Sequence, residues 1–527
     1  MLTASQRAAG LSPGLVQSLR GIEQSLRQRR VAEAERAVIA ALALAPRHPE
    51  VLRVFALIQS VQGRPQEAIR ALLLASAQRP DDPLIHTALG GAYEAVKDHT
   101  RARAALQRAC ELGPELATCW FNYGRRLALD NDFTAALPAL RRAVALEPGH
   151  AAARTLLADL LRADGDQVAA AEQLRRIIAD TPAAAGQAWW SLAMLKPMPL
   201  TGADVATLRR TLHAAALSTP ERLAMTFALA LALEHQGDYA EAFATLQAGH
   251  ALARRGEPYA AAAFDRHIDA ILEAFAAPPA GSAKAQGGEV IFIVSLPRSG
   301  STLTEQILAS HSQVEGAMEL QDLPQEIMYE SDRMRQPFPQ WVRTHGPQQW
   351  QTLGARYLER TQRWRAQRPR FTDKAPNNWQ YVGAILAMLP QARVVVCRRD
   401  PLETCLACYR YMYRQHAFAH DLEDLASHWR TFDRAVRQWR TLYPERVHEQ
   451  VYEHLLADPQ AQIRQLLEFC ELPFEEACLN FHTTRRRVTT PSAAQVREPL
   501  RRDTARADKY GALLDPLRVA LGLAPFG

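Results

Sequence analysis

"VIFIVSLPRSGSTLTEQILASH", residues 290–311, decides the fold of the second half of the chain. Its apolar opening, "VIFIV", has the length and branching of a buried strand. A short polar turn follows, and then apolar residues at helical spacing, Leu303, Ile307 and Leu308. Strand, polar turn and helix form the layout in which backbone N–H groups and the positive end of a helix converge on an anion. The nucleoside-triphosphate version, GxxxxGK(S/T), needs glycine at Ser295 and lysine at Ser301; only Gly300 and Thr302 fit. Arg298 stands inside the turn and can supply the missing cation, its planar fork matching an oxyanion's geometry. Ser299, Ser301 and Thr302 add hydroxyl donors. The turn therefore reads as an anion site of a different kind from the one that holds the end of ATP.

Working outward, a second buried-strand run, "ARVVVC" (residues 392–397), and longer helical segments alternate with the first. That alternation predicts an α/β domain with a central parallel sheet over residues 289–527, its ligands sitting at the carboxyl ends of the strands. Upstream, "AAPPAGSAKAQGG" (276–288) is small, Pro/Gly-rich and aperiodic, and reads as a linker. At 527 residues the chain is too long for one ordinary core.

The first half is a repeat. Pro46, Pro80, Pro114, Pro148 and Pro182 follow one another at intervals of 34 residues. Ala68, Ala102, Ala136 and Ala170 share that period, as do Leu72, Leu106, Leu140 and Leu174, four positions further on. Thirty-four residues closing on a proline, with a small residue inside a helix, is the tetratricopeptide period. Each unit is a helix, a turn and a second helix; the alanine permits close approach and the proline stops the second helix. At the inter-helix turn Gly63 and Gly165 take the place that Lys97 and Asn131 fill in the middle units. Clear repeats run over about 34–182, the pattern returns as a hairpin over about 220–255, and the helical array is expected to extend over 1–275. The fold class is thus an α-solenoid of tetratricopeptide repeats followed by a P-loop-like α/β domain. A concave repeat groove binding a peptide or partner protein stands beside a simple scaffolding role.

Composition narrows the classes of function. Hydrophobic residues make up 48% and charged residues 22%, ordinary for a globular protein. A net charge of +6 suits an anionic ligand but falls far short of a nucleic-acid-binding signature. No basic head precedes an unbroken apolar run and no stretch is long enough to span a bilayer, so neither a signal peptide nor a membrane span is expected. The seven scattered cysteines fit reduced thiols and a cytoplasmic setting. Cys405 and Cys408 lack a second pair at zinc spacing and read as two helical thiols.

Several separated motifs in order resemble the PAPS-dependent sulfotransferases, in the bacterial branch that joins tetratricopeptide repeats to a catalytic domain similar to the tyrosylprotein sulfotransferases. "FIVSLPRSGSTLTEQILASH" resembles their 5′-phosphosulfate loop and "RVVVCRRDPLETCLACYRYMY" their 3′-phosphate segment; "FTDKAPNN" and "TTPSAAQVREPL" also recur there. The resemblance covers roughly residues 289–520. It implies that Arg298, Ser299, Gly300, Ser301 and Thr302 bind the phosphosulfate of PAPS, with no metal required. It implies Glu319 as the base that takes the acceptor proton, with His311, nearer the loop, as the histidine rival that small-molecule sulfotransferases would suggest. Lys374, 25 residues before Arg399, matches the lysine that steadies the bridging oxygen as PAP departs; Asp373 would orient it. Arg399 matches the 3′-phosphate arginine, but Ala407 stands where the family places serine. That departure removes one hydrogen bond, worth about 0.5–1.5 kcal/mol, and Cys408, Arg410 or Arg414 could compensate. Tyr452, Ser492 and Arg506 match further cofactor-contacting positions, Ser492 beside the catalytic lysine. The run Arg485–Arg487 reads as a solvated face.

The resemblance implies sulfuryl transfer from PAPS to an acceptor hydroxyl, such as a protein or peptide tyrosine. The alternative is an interaction scaffold whose sulfotransferase domain has decayed, for which Ala407 is the best support. A nucleotide kinase is disfavoured by the missing loop lysine. Sequence leaves the acceptor and the oligomeric state open.

Overall fold

The structure is a computed structural model and describes residues 3–28, 30–130, 132–214, 216–256, 259–413, 416–486, 488, 490, 495–502 and 505–527. The chain divides into two compact units, 1–161 with 168–180, and 162–167 with 181–527.

The first unit is a run of helical hairpins, among them Pro49–Val61 with Pro65–Gln78, Pro83–Ala95 with His99–Leu112, and Ala117–Leu129 with Phe133–Leu146. Pro46, Pro80, Pro114 and Pro148 each fall two residues beyond a helix, where a ring without an N–H cannot continue the ladder. The two repeat columns are the packing contacts. Ala68, Ala102 and Ala136 are wholly buried, and Leu72, Leu106 and Leu140 nearly so. Leu106 and Leu140 fill the space over glycines of the preceding helix. A Cβ on Gly90 would lie 2.4 Å from Leu106, and one on Gly124 2.8 Å from Leu140. At the inter-helix turn Gly63 and Lys97 both adopt left-handed backbone, φ 74° and 61°, so the lysine carries strain that glycine avoids. Asn131 lies outside the described residues.

The second unit is built on a five-stranded, all-parallel sheet in the order β2-β3-β1-β4-β5. The strands are β1 (Val290–Ser295), β2 (Val314–Gly316), β3 (Arg370–Lys374), β4 (Arg393–Arg398) and β5 (Val447–Val451). The α/β fold with a parallel sheet is as the alternating runs predict. Side chains of β1 alternate between two cores. Val290, Phe292 and Val294 join one with Trp350, Tyr357 and Trp439, while Ile291 and Ile293 join another with Ile307, Leu308 and Leu466. Burial on both faces explains why β1 reads as a continuous apolar run. β1 lies between β3 and β4, so the chain leaves the sheet centre in opposite directions and opens a crevice at the strands' carboxyl ends.

The same unit contains helices Gly186–Ala193, Gly202–Ala214, Thr219–Gln236, Tyr239–Arg254 and Ala261–Ala274. The hairpin foreseen near 220–255 is the third and fourth of these, turned at Gly237 (φ 89°). Ile268, Ile271 and Phe275 enter the same core as β1. The Pro/Gly-rich stretch 276–288 runs within this unit; the buried Gln286 side chain donates to the carbonyls of Met388 and Gln351 at 2.8 and 3.2 Å.

Candidate functional site

The crevice at the carboxyl end of β1 opens into a cavity of about 830 Å³ within the second unit, within the ~300–1,000 Å³ of small-molecule and cofactor sites generally. Its floor is the turn quoted at the outset. Arg298 (φ 68°) and Gly300 (φ 91°) both adopt left-handed backbone, and helix Ser301–Ala309 starts directly after. Successive amides in such a turn form an anion-binding concavity at a helix N-terminus. Arg298, Gly300, Ser301 and Thr302 line the cavity, whereas Ser299 is buried behind it. The Arg298 guanidinium lies 6.0 Å from the Tyr411 ring centroid, and the Cys408 thiol donates to the Pro297 carbonyl at 3.3 Å, pinning the turn from below. Burial pushes that thiol up to about 12, so Cys408 is a neutral packing group here. Cys405, on the same helix, is buried too.

Lys374 ends β3, beside β1, with Ile293 as its register partner. Its side chain is almost fully buried, and Nζ donates to Glu319 Oε1 at 2.6 Å. Glu319 is half exposed and faces the cavity. The position of this pair is fixed from beneath by Glu305. Its Oε1 accepts the Met318 N–H at 2.8 Å and the Thr372 hydroxyl at 3.0 Å, and its Oε2 accepts Arg486 at 2.7 Å. Complete burial would raise the Glu305 carboxyl, but Arg486 and Lys374 hold it below the usual range. Asp373 behaves in the opposite way. Burial pushes it up to about 8 although Tyr357 donates to it at 2.8 Å. Its Oδ1 has no hydrogen-bond partner among the described residues. Asp373 therefore sits behind Lys374 in the core, outside the cavity lining. His311 is also remote. It is wholly buried, with Nε2 2.9 Å from the Pro473 carbonyl, and does not line the cavity.

Arg399 follows β4 and lines the same cavity, pairing with Glu403 one helical turn on at 3.0 Å and lying 5.2 Å from the Tyr452 ring centroid. The other oxygen of Glu403 accepts the backbone N–H groups of Arg506 and Ala507 at 2.6 and 2.7 Å. Arg506, Tyr452 and Ala407 line the cavity as well. Ser492, Arg414 and Arg487 lie outside the described residues. Arg486, expected on a solvated face, is instead held inward by Glu305 and Gln306, because the buried carboxylate of Glu305 demands a cation.

Sequence reasoning named Arg410 and Arg506 but missed Lys196 and Glu234. Lys196 and Arg410 line the cavity, and Arg410 and Arg506 both pair with Glu234 on helix Thr219–Gln236. Glu234 had a legible signal, a carboxylate closing the alanine and leucine run "FALALALE". His416 also lines the cavity; burial lowers its imidazole, while nearby Glu319 acts to raise it.

A loop-and-helix anion turn, a lysine–carboxylate pair and arginines just beyond two strands of a parallel sheet make a cationic crevice suited to an oxyanion. Comparison with known proteins agrees. Residues 290–476 match the sulfotransferase family, and residues 25–92 and 127–193 match the tetratricopeptide repeat. The chain thus combines a segment that matches the sulfotransferase family with two segments that match the tetratricopeptide repeat. An uncharacterized protein of Aquifex aeolicus (strain VF5) is 35% identical over 236 residues, 42% of this chain; the chain spans 31% of that relative's length. Among solved structures, the sulfotransferase domain from the Synechococcus PCC 7002 olefin synthase is 21% identical, covering 44% of this chain and 94% of that domain, at a TM-score of 0.29. A thermophilic tetratricopeptide protein of Thermus thermophilus is 24% identical, covering 32% of this chain and 92% of its own, at 0.30.

Proposed function

We propose that this chain is a sulfotransferase that moves the sulfuryl group of PAPS to an acceptor hydroxyl and releases PAP. The observation that carries the reading is the convergence of Arg298, Arg399 and Glu319 on one cavity, with buried Lys374 held against Glu319 from behind the lining. The donor supplies an activated sulfuryl group; the protein's task is alignment and positive charge around a loose transition state. The turn of Arg298, Ser299, Gly300, Ser301 and Thr302 holds the phosphosulfate. Lys374, almost dry and already oriented, stabilises charge on the bridging oxygen, with Ser492 assigned beside it from the family pattern. Glu319 keeps one face toward the cavity and receives the acceptor's proton. Arg399, Tyr452 and Arg506 hold the adenosine 3′-phosphate end.

A protein or peptide tyrosine is the acceptor we favour, because a carboxylate base stands at the reacting position and Tyr381, Tyr411, Tyr413 and Leu320 give the cavity an aromatic and apolar side. The tetratricopeptide repeats are assigned the binding of a peptide or protein partner. The reading places the protein in the cytoplasm; no described helix is long and apolar enough to cross a membrane.

The test is incubation with sulfur-labelled PAPS and peptide acceptors. Label should enter a tyrosine-containing peptide, and Glu319→Gln should lower kcat by about 10²-fold or more while PAP binding stays within about twofold. Ala407 on the cavity wall favours a second reading, a decayed domain serving as a scaffold. Absence of both label transfer and PAP binding would select that reading.

A further inference from the structure

Arg410, Tyr411, Tyr413 and His416 line the cavity from one short stretch of chain. That stretch follows helix Pro401–Tyr409 and leads into the turn Ala417–His420. A single side chain from elsewhere holds both of its flanks. His250, on helix Tyr239–Arg254, is 1% exposed. Its Nε2 donates to the Tyr409 carbonyl at 2.7 Å, and its Nδ1 lies 3.0 Å from Nδ1 of His420, which is buried as well. The His250 ring also stacks on the Tyr409 ring, centroids 3.9 Å apart, with Phe227 edge-on at 4.9 Å. Beside His420, Phe418 stacks on the buried ring of His428 at 3.8 Å, and the Tyr259 hydroxyl lies 3.1 Å from His428 Nδ1.

These contacts fix the hydrogens. A carbonyl only accepts, so Nε2 of His250 carries the proton; a neutral ring then offers Nδ1 as an acceptor, and Nδ1 of His420 donates to it. Charging the His250 ring would bury a cation in this site. Burial lowers its imidazole from 6.5 to about 3, the Tyr409 carbonyl and Asp421 acting to raise it and His420 to lower it. Asp421 is itself paired with Arg254, which also reaches Asp424 at 3.8 Å. The Tyr409 phenol is pushed above its usual range by burial, so it stays neutral beside the ring.

We propose that His250 is a positioning residue that staples Tyr409 to His420 and so sets the cavity wall carried between them. A proton on its ring undoes the staple, which makes that wall sensitive to acid. Helix Tyr239–Arg254 lies outside the segment 290–476 that matches the sulfotransferase family, so the wall is set by a part of the chain that the family pattern does not describe. An imidazole that is neutral when stapled and ordinary when released favours the stapled form fully above about pH 6.5. That advantage shrinks as pH falls, and between about pH 7.5 and pH 5 the released form gains roughly thirtyfold. The effect on turnover rests on the sulfuryl-transfer reading; the staple itself does not.

The experiment is hydrogen–deuterium exchange of the full chain, read by mass spectrometry. It follows the amides of Arg410, Tyr411 and Ala419, which donate to the carbonyls of Leu406, Cys408 and His416 at 3.0 Å each. After correction for intrinsic rates, their protection should fall about tenfold or more between pH 7.5 and pH 5. His250→Phe keeps a ring but loses both hydrogen bonds, and should show that loss already at pH 7.5. His250→Gln keeps a donor and an acceptor and never charges; it should retain protection at pH 7.5 and lose no more than about threefold at pH 5. Circular dichroism checks the fold of both variants. With PAPS and a tyrosine peptide, His250→Phe should raise the acceptor KM about tenfold with PAP affinity within about threefold, and His250→Gln should restore it. Wild-type protection or an unchanged KM in His250→Phe would overturn the staple, as would an acid loss in His250→Gln equal to that of wild type. Exchange that behaves as expected in a wild-type protein that transfers no label would uphold the staple and remove the sulfuryl-transfer reading instead.

Discussion

Replacing Glu305 by glutamine removes a buried charge on which the geometry beneath the cavity depends. Glu305 is 1% exposed and receives the Met318 N–H, the Thr372 hydroxyl and the Arg486 guanidinium. Glutamine keeps one acceptor oxygen for Met318 and Thr372 but presents an NH2 or a neutral oxygen to Arg486. Breaking a buried ion pair by neutralising one partner costs about 3–5 kcal/mol. Arg486 retains its bond to Gln306 at 2.7 Å and a long one to the Gly316 carbonyl at 3.4 Å, which places the cost near the low end. With an unfolding entropy of roughly 2.1 cal/mol/K per residue over a unit of about 350 residues, ~3 kcal/mol lowers Tm by about 4 °C. Differential scanning calorimetry measures the transition of the second unit, and steady-state kinetics measures whether loosening Met318 disturbs its neighbour Glu319. A Tm within about 1 °C of wild type together with unchanged turnover would refute the view that Glu305 anchors this part of the site.

Two further outcomes follow from the same geometry. Gly300→Ala places a Cβ at φ 91° and 3.1 Å from Tyr452 Cδ2; left-handed backbone costs a non-glycine residue about 1–2 kcal/mol, so PAP affinity measured by calorimetry should fall about tenfold. Asp373 has its carboxyl raised from the usual 3.8 to about 8. A raised acid favours the folded state fully only below its unfolded value, and that advantage is lost as pH rises toward the folded value. Stability should therefore decline between about pH 4 and 8, and Asp373→Asn, still able to accept from Tyr357, should flatten that decline. With each pKa unit worth about 1.4 kcal/mol, the variant should gain on the order of 4 kcal/mol at pH 7 relative to pH 4. Parallel pH–stability curves for the two proteins, obtained by denaturant unfolding, would contradict the assignment.

The parts of this molecule that repeat or run locally were legible in its sequence. The proline, alanine and leucine columns reported helix ends and close contacts directly, because each repeat meets the same packing problem. β1 and its turn were legible because a strand buried on both faces must be apolar throughout and the turn that follows must supply donors. The Glu319–Lys374 contact spans 55 positions and came from family resemblance, since no period links residues from two different strand ends. Glu234 with Arg410 and Arg506, separated by 176 and 272 positions, left only the trace of a carboxylate in an apolar helix. Arg486 reads as solvated because a charge run does not reveal that a buried carboxylate lies beneath it.

The most direct measurement is the equilibrium dissociation constant of PAP for wild-type protein, Arg298→Ala and Arg399→Ala, at one ionic strength. These arginines stand about a hundred residues apart and line the same cavity. Each should contribute charge-assisted bonds to one nucleotide, so each variant should weaken binding by about tenfold to a hundredfold. Undetectable binding to wild-type protein at millimolar PAP, or variants that bind as wild type does, would contradict the claim that this cavity is built for a sulfated adenine nucleotide.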